Sequence, residues 1–206
     1  MRLGILVSGR GSNLEAVLDA IADGRLAAVE ASLVIANRPG IRALQVAARH
    51  GVRWRVMPAA DFPSLDARDE AVARAVSEAA CDLVLLAGYD QLLRPAYFAS
   101  YGGRTINIHP SLLPRHGGRG MVGLAVHAAV LAAGEPETGV TIHDVTPNLD
   151  AGPAIVQVRV AVPDGVSAPE LAELVLAVEH QALVEVLERL SGSMTAASPA
   201  PIRARR

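Results

Sequence analysis

Lysine is absent from this 206-residue chain: every one of its 19 Lys and Arg residues is arginine. That excludes a Schiff-base lysine, a lysine general base and a Walker-type phosphate lysine. Any phosphate must be held by Arg, by backbone N–H groups or by a metal. Aromatics make up 3% of the residues and the formal charge is −2, so the chain has neither a stacking set for single strands nor a basic surplus for nucleic acid. Its single cysteine, Cys81, cannot form an intramolecular disulfide, which suits a reducing compartment and a role as a small filler at the head of an apolar strand. Although 51% of the residues are hydrophobic, no apolar run approaches the roughly 20 residues of a membrane helix. The opening Met1–Val7 stretch meets a glycine turn too early for a signal sequence. A cytoplasmic protein that acts on small molecules, with no nucleic-acid or membrane partner, is therefore expected.

What is present is an alternation of short apolar runs with longer segments at helical spacing, the pattern of parallel strands joined by crossover helices. Strands are predicted at Leu3–Ser8, Ala31–Ala36, Arg53–Met57, Asp82–Ala87 and Thr105–His109. Leu14, Val17, Leu18 and Ile21 share one helical face, and further helices are predicted over Ile41–His50, Asp69–Ala80 and Leu124–Ala133. Gly139–Val145 and Ile155–Val162 read as two more strands around a loop, with a last amphipathic helix over Ala168–Leu190. The expected fold is α/β: an open, doubly wound, mostly parallel sheet with helices on both faces, whose later strands break the parallel order. One domain is expected over 1–190, followed by a mobile tail at 191–206.

Three segments carry candidate chemistry. Ser8-Gly9-Arg10-Gly11-Ser12-Asn13 joins the first strand to the first helix, where open α/β sheets bind anions. The N–H groups of Gly11, Ser12 and Asn13 can point at a phosphate with the helix dipole behind them. A dinucleotide site is the rival, but Leu14 occupies the third glycine position of G-x-G-x-x-G. Asn37-Arg38 stands where an acidic ribose ligand belongs, and Arg38 suits the 2′-phosphate of NADP, so an oxidoreductase stays open. In the second segment, Asn107–Pro114, strand alternation sends Asn107 and His109 to one face at the strand's carboxyl end. An amide beside an imidazole can stabilise an oxyanion and exchange a proton; the same residues also suit a hydrogen-bonded turn. In the third, Asp150 can orient that imidazole and favour its cationic form, or simply cap its turn. Asp144, beside His143, competes for the role, and alternation does not choose between them. No Gly-x-Ser-x-Gly elbow and no H-E-x-x-H spacing occurs.

Val7–Leu14, Leu86-Ala87-Gly88-Tyr89, Ile106–Pro114, Gly139–His143, Leu149–Pro153 and Glu179-His180 occur in this order. Together they closely resemble the folate-dependent formyltransferases, in the branch that acts on glycinamide ribonucleotide. The resemblance spans residues 1–190 and implies transfer of a formyl group from 10-formyltetrahydrofolate, a co-substrate, to the amino group of glycinamide ribonucleotide in purine synthesis. No metal is implied, and the enzyme is expected as a monomer or homodimer. The amine of a sugar nucleotide is the alternative acceptor.

Carried over by position, Asn107, His109 and Asp150 are the expected catalytic set. Gly11, Ser12 and Asn13 are expected to hold the ribonucleotide phosphate, and Gly88, Pro110 and Glu179 to contact its glycinamide end. The folate is expected against Asp90, Gln91, Leu92 and Leu93 and against Thr146, Pro147, Asn148, Leu149 and Asp150. Asn107 would lie at its formyl group and Arg68 at its glutamate tail. Three departures stand out: Asp90-Gln91 replaces a Met-Arg type pair, the Arg115–Gly123 loop is longer and richer in glycine than the resemblance implies, and Ala151 replaces a glycine that matters only if the backbone there needs positive φ.

Overall fold

The computed structural model describes residues 1–196. Strand β1 (Arg2–Val7) is the hub: five of its six residues are buried, as a central parallel strand covered on both faces requires. Helix α1 (Ser12–Ala22) carries the chain to β2 (Glu30–Ala36), and α2 (Arg42–Arg49) carries it to the short β3 (Trp54–Val56). A 3-10 turn at Ala59–Asp61 and helix α3 (Leu65–Glu78) then return it past β1 to β4 (Leu83–Leu86). Helix α4 (Pro95–Ser100) and β5 (Arg104–His109) follow, then α5 (Leu124–Ala132), β6 (Glu137–Asp144), β7 (Ala154–Ala161) and α6 (Ala168–Ala196).

The seven strands form one sheet in the order β3-β2-β1-β4-β5-β6-β7. Strands β1 to β5 pair in parallel, whereas β6 runs antiparallel to both β5 and β7. The doubly wound sheet and the late break in parallel order are both as the sequence implies. Alternate residues of the central strands feed two cores. Leu3, Ile5, Val7, Leu83, Leu85, Ile106 and Ile108 pack with α1, α2 and α6 on one face. Leu6, Val84 and Leu86 pack with α3 and α4 on the other.

Most bounds shift by a residue or two from the periodicity reading, and the larger differences are in α3, α4 and α6. Helix α3 begins at Leu65, four residues early, because the Ser64 hydroxyl accepts the Ala67 N–H and caps it. Helix α4, six residues opening on a proline, is too short to leave a periodic signal. Helix α6 runs beyond Leu190 to Ala196, so residues 191–196 of the expected tail are helical. The rest of that tail, 197–206, lies outside the described residues. Among the described residues no helix is long and apolar enough to cross a membrane.

The start of α4 depends on a buried charge pair. Asp69 is 0% exposed; one carboxylate oxygen takes the Arg68 guanidinium at 2.9 Å and the other accepts the Arg94 N–H at 2.8 Å. Removing one member of such a pair strands the other charge in the core. Asp69→Ala is therefore expected to lower unfolding free energy by about 3–5 kcal/mol. The double variant Arg68→Met/Asp69→Leu should lose less than Asp69→Ala alone, a comparison that urea unfolding makes directly.

Candidate active site

The winding direction reverses between β1 and β4, and the loops leaving their carboxyl ends flank a crevice. Gly11 caps α1 in the left-handed region, at φ 75°, and a Cβ there would sit 2.7 Å from Ala43 Cβ, so no other residue fits. Having no side chain, it leaves the first-turn N–H groups of α1 uncapped, and those of Ser12 and Asn13 stay available to an anion. The side chain of Asn13 does something else. Its Nδ2 donates to Glu179 Oε2 at 2.6 Å, bringing α6 against the head of α1. Glu179 is 7% exposed, and burial pushes its carboxyl up to about 7 despite the Asn13 hydrogen bond. Asn13 Oδ1 is buried with no partner among the described residues.

Antiparallel pairing places Asn107 opposite His143 and His109 opposite Thr141. His143 Nδ1 donates to the Asp144 carbonyl at 2.9 Å, and burial holds the ring below the usual histidine range. Its bare Nε2 therefore accepts one Asn107 Nδ2–H at 3.1 Å. This fixes the Asn107 amide and leaves its second N–H free for another acceptor. His143, which the sequence offers only as part of a motif and as a neighbour of Asp144, joins the site through this bond, and its pairing with Asn107 is legible only once β6 is registered against β5.

His109 is 5% exposed, and its Nε2 donates to the His116 carbonyl at 2.9 Å. Its Nδ1 faces Asp150 Oδ2 at 4.0 Å, while Asp150 Oδ1 lies 3.8 Å from His143 Nε2. Asp150 thus stands between the two imidazoles, and its Oδ2 also accepts the Gly118 N–H at 2.8 Å. Asp144 does not compete: Arg104 grips it through two hydrogen bonds of 2.6 and 3.0 Å. The strained backbone of this loop is at Asp150 itself, with φ 51°, and not at its neighbour Ala151. Gly152 lets the loop double back, since any Cβ there would overlap the Asp144 carbonyl oxygen.

The 90–93 turn requires corrections. Asp90 is committed to the neighbouring loops: its N–H donates to Ser8 Oγ at 3.0 Å, and its carboxylate accepts Asn37 Nδ2 at 2.7 Å and pairs with Arg38. Arg38 is thereby taken from the NADP phosphate considered for it. Gln91 accepts Arg68 Nη1 at 3.1 Å and donates to Asp90 at 3.2 Å. Arg68, expected at a glutamate tail, is 1% exposed and bound to Asp69, Gln91 and the Leu92 carbonyl, so its donors face inward. Leu93 is likewise core, at 1% exposure, and only Leu92 of this pair reaches the surface. Across the crevice mouth, Thr146 Oγ1 donates to the Asn148 carbonyl at 3.1 Å, and Pro147, Asn148 and Leu149 are exposed. Gly88 adopts φ 72° at the head of the turn, and Pro110 is half-buried after His109. No trio of His, Cys, Asp or Glu converges as a metal site among the described residues.

The sequence profile of the family described as Formyl transferase matches residues 1–187. The chain is 36% identical over 180 residues to the phosphoribosylglycinamide formyltransferase of Escherichia coli K12, covering 87% of this chain and 82% of that protein. It is 37% identical over 191 residues to the trifunctional purine biosynthetic protein adenosine-3 of Drosophila pseudoobscura. That match covers 92% of this chain, which spans only 14% of the fly protein's length. Among solved structures, glycinamide ribonucleotide transformylase 1 from Symbiobacterium toebii superposes with a TM-score of 0.87 at 36% identity, covering 94% of this chain and 88% of that one.

The Glu179 carboxyl makes the unliganded site testable by pH. Its folded pKa, about 7, stands above the ordinary 4.5, so the stability it contributes is full below 4.5 and is lost as pH rises through 7. Glu179→Gln keeps an acceptor for Asn13 and carries no charge. Urea unfolding at pH 5 and pH 8 should show the variant gaining about 2–3 kcal/mol on the wild type between those pH values. Equal pH dependence in the two proteins would refute the burial account.

Proposed function

The chain belongs to the formyl transferase family, and we propose that it transfers the formyl group of 10-formyltetrahydrofolate to the amino group of glycinamide ribonucleotide, a step of purine biosynthesis. The observation that carries this reading is the linkage of Asn107, through His143, to Asp150 and His109 at the carboxyl end of β5, two strands from β1 and the uncapped helix that follows it. An anion site and an oxyanion site within one crevice match a phosphorylated amine and a formyl donor. The relatives named phosphoribosylglycinamide formyltransferase support the same acceptor.

In the proposed reaction the ribonucleotide phosphate rests on the Gly11, Ser12 and Asn13 N–H groups, with Glu179, Gly88 and Pro110 toward the glycinamide end. The folate lies between the exposed Leu92 and the 146–149 loop, held by the backbone of 90–93 and by apolar contact. The neutral amine forms a bond to the formyl carbon, and the formyl oxygen becomes an oxyanion. The free Asn107 N–H and a cationic His109 donate hydrogen bonds to it. As the bond from the formyl carbon to N10 breaks, N10 takes a proton from His109, and the proton shed by the amine passes toward Asp150. No covalent enzyme intermediate forms, and no step uses a metal or a lysine. The enzyme acts in the cytoplasm on small molecules.

The test is an assay of the whole chain with 10-formyltetrahydrofolate and glycinamide ribonucleotide, followed by folate absorbance. Turnover of this pair is expected; its absence, with turnover of a sugar-nucleotide amine, would reassign the acceptor. His109→Ala and Asp150→Asn should each lower kcat by about 10²–10⁴-fold with the fold intact by circular dichroism. Near wild-type turnover of His109→Ala would overturn the assignment.

A further inference from the structure

Both proton-handling groups are held by the backbone of one segment, 115–118. The His116 carbonyl accepts His109 Nε2–H at 2.9 Å, and the Gly118 N–H donates to Asp150 at 2.8 Å. A carboxylate outside the crevice holds the side chains of that segment at two points, while Ser111 Oγ reaches both the Arg115 and the His116 carbonyls, at 2.8 and 3.4 Å. Glu135, in the turn after α5, accepts Arg115 Nη1 at 2.7 Å on one oxygen and lies 3.3 Å from His116 Nε2 on the other. Glu135 and His116 are 18% and 17% exposed, so the contact is shielded in a way that most surface pairs are not. His116 also sits at φ 54°, a backbone state that needs fixing from outside.

We propose that Glu135 is a positioning residue: by clamping Arg115 and His116 it aims the His116 carbonyl at His109, which keeps the proton on Nε2 and leaves Nδ1 facing Asp150. A carbonyl can only accept, so its presence selects the Nε2–H form of the neutral ring. The chain from Glu135 to His109 passes through the backbone, and Glu135 itself touches neither His109 nor Asp150. The inference rests on the proposed function only for its kinetic consequence.

The test compares the whole chain with Glu135→Ala and Glu135→Gln. The imidazole nitrogens of His109 are observed by long-range proton–nitrogen correlation without substrate, and kinetics are measured alongside. In the wild type His109 should carry its proton on Nε2. In Glu135→Ala that preference should be lost, with kcat lowered roughly 10- to 100-fold and KM for the ribonucleotide within about twofold. Glu135→Gln still accepts from Arg115 and can donate to His116, so it should restore the tautomer and most of kcat. Should Glu135→Ala fail to fold, Arg115→Ala removes one clamped partner and should show the same tautomer loss. An unchanged His109 signature in the Ala variant, or equal losses in Ala and Gln variants, would overturn the proposal. Because the tautomer is read without substrate, an inactive wild type whose His109 preference still depends on Glu135 would count against the acceptor assignment alone.

Discussion

Strand β1 is buried between β2 and β4, and the reactive edge of the molecule depends on that placement. Its two neighbours are reached by chain segments wound in opposite directions, so the loops at their carboxyl ends cannot close over one another. The gap that results is where α1 starts, and Gly11 must turn there against Ala43 without a side chain. A helix start with no side-chain cap is an unsatisfied set of donors. Asp90 then binds the loop after β2 through Asn37 and Arg38 and the loop after β1 through Ser8, which fixes the walls of the same gap.

Arginine without lysine shapes the charge pattern around this edge. A guanidinium keeps its proton throughout the working pH range and offers a planar fork, so it is best used where it meets a carboxylate face on. Arg104 takes Asp144 in that manner, whereas Arg38 meets Asp90 and Arg115 meets Glu135 through one guanidinium nitrogen each. The first pairing removes Asp144 from the acids that could face His109. Asp150 is left because its loop folds back onto β6 and presents it to two imidazoles and a backbone N–H. The proposed reaction takes its proton from the histidine opposite, the side-chain type suited to gaining and losing one near neutrality.

The parts legible in the sequence are those set by periodicity or by local backbone demand. Buried strands read as apolar runs, and Asn107 and His109 share a face because alternation is a property of the strand itself. The Asn13 to Glu179 bond joins residues 166 positions apart, and nothing local in either segment encodes it. Arg68 was unreadable for another reason. Arginine is rarely buried, and its burial here follows from Asp69 and from a turn that supplies Gln91 and the Leu92 carbonyl. The choice between Asp144 and Asp150 needed the register of β6, since a slip of one residue would reverse which side chains face Asn107.

The antiparallel entry of β6 divides the labour of the site. Asn107 and His143 are on paired strands, and their hydrogen-bond chain ends on the Asp144 carbonyl, so the amide that would meet an oxyanion is held by the sheet. His109 begins on the same strand, but its Nε2 and its carboxylate neighbour are both fixed by loop backbone. Charge stabilisation without motion wants the stiffer support, because donors aimed in advance need no reorganisation. Proton transfer wants a support that can yield, since in the proposed reaction His109 changes its bonding as the proton leaves. Under that proposal, strand ends for the oxyanion and loops for the proton follow from a parallel sheet that β6 joins antiparallel beside β5.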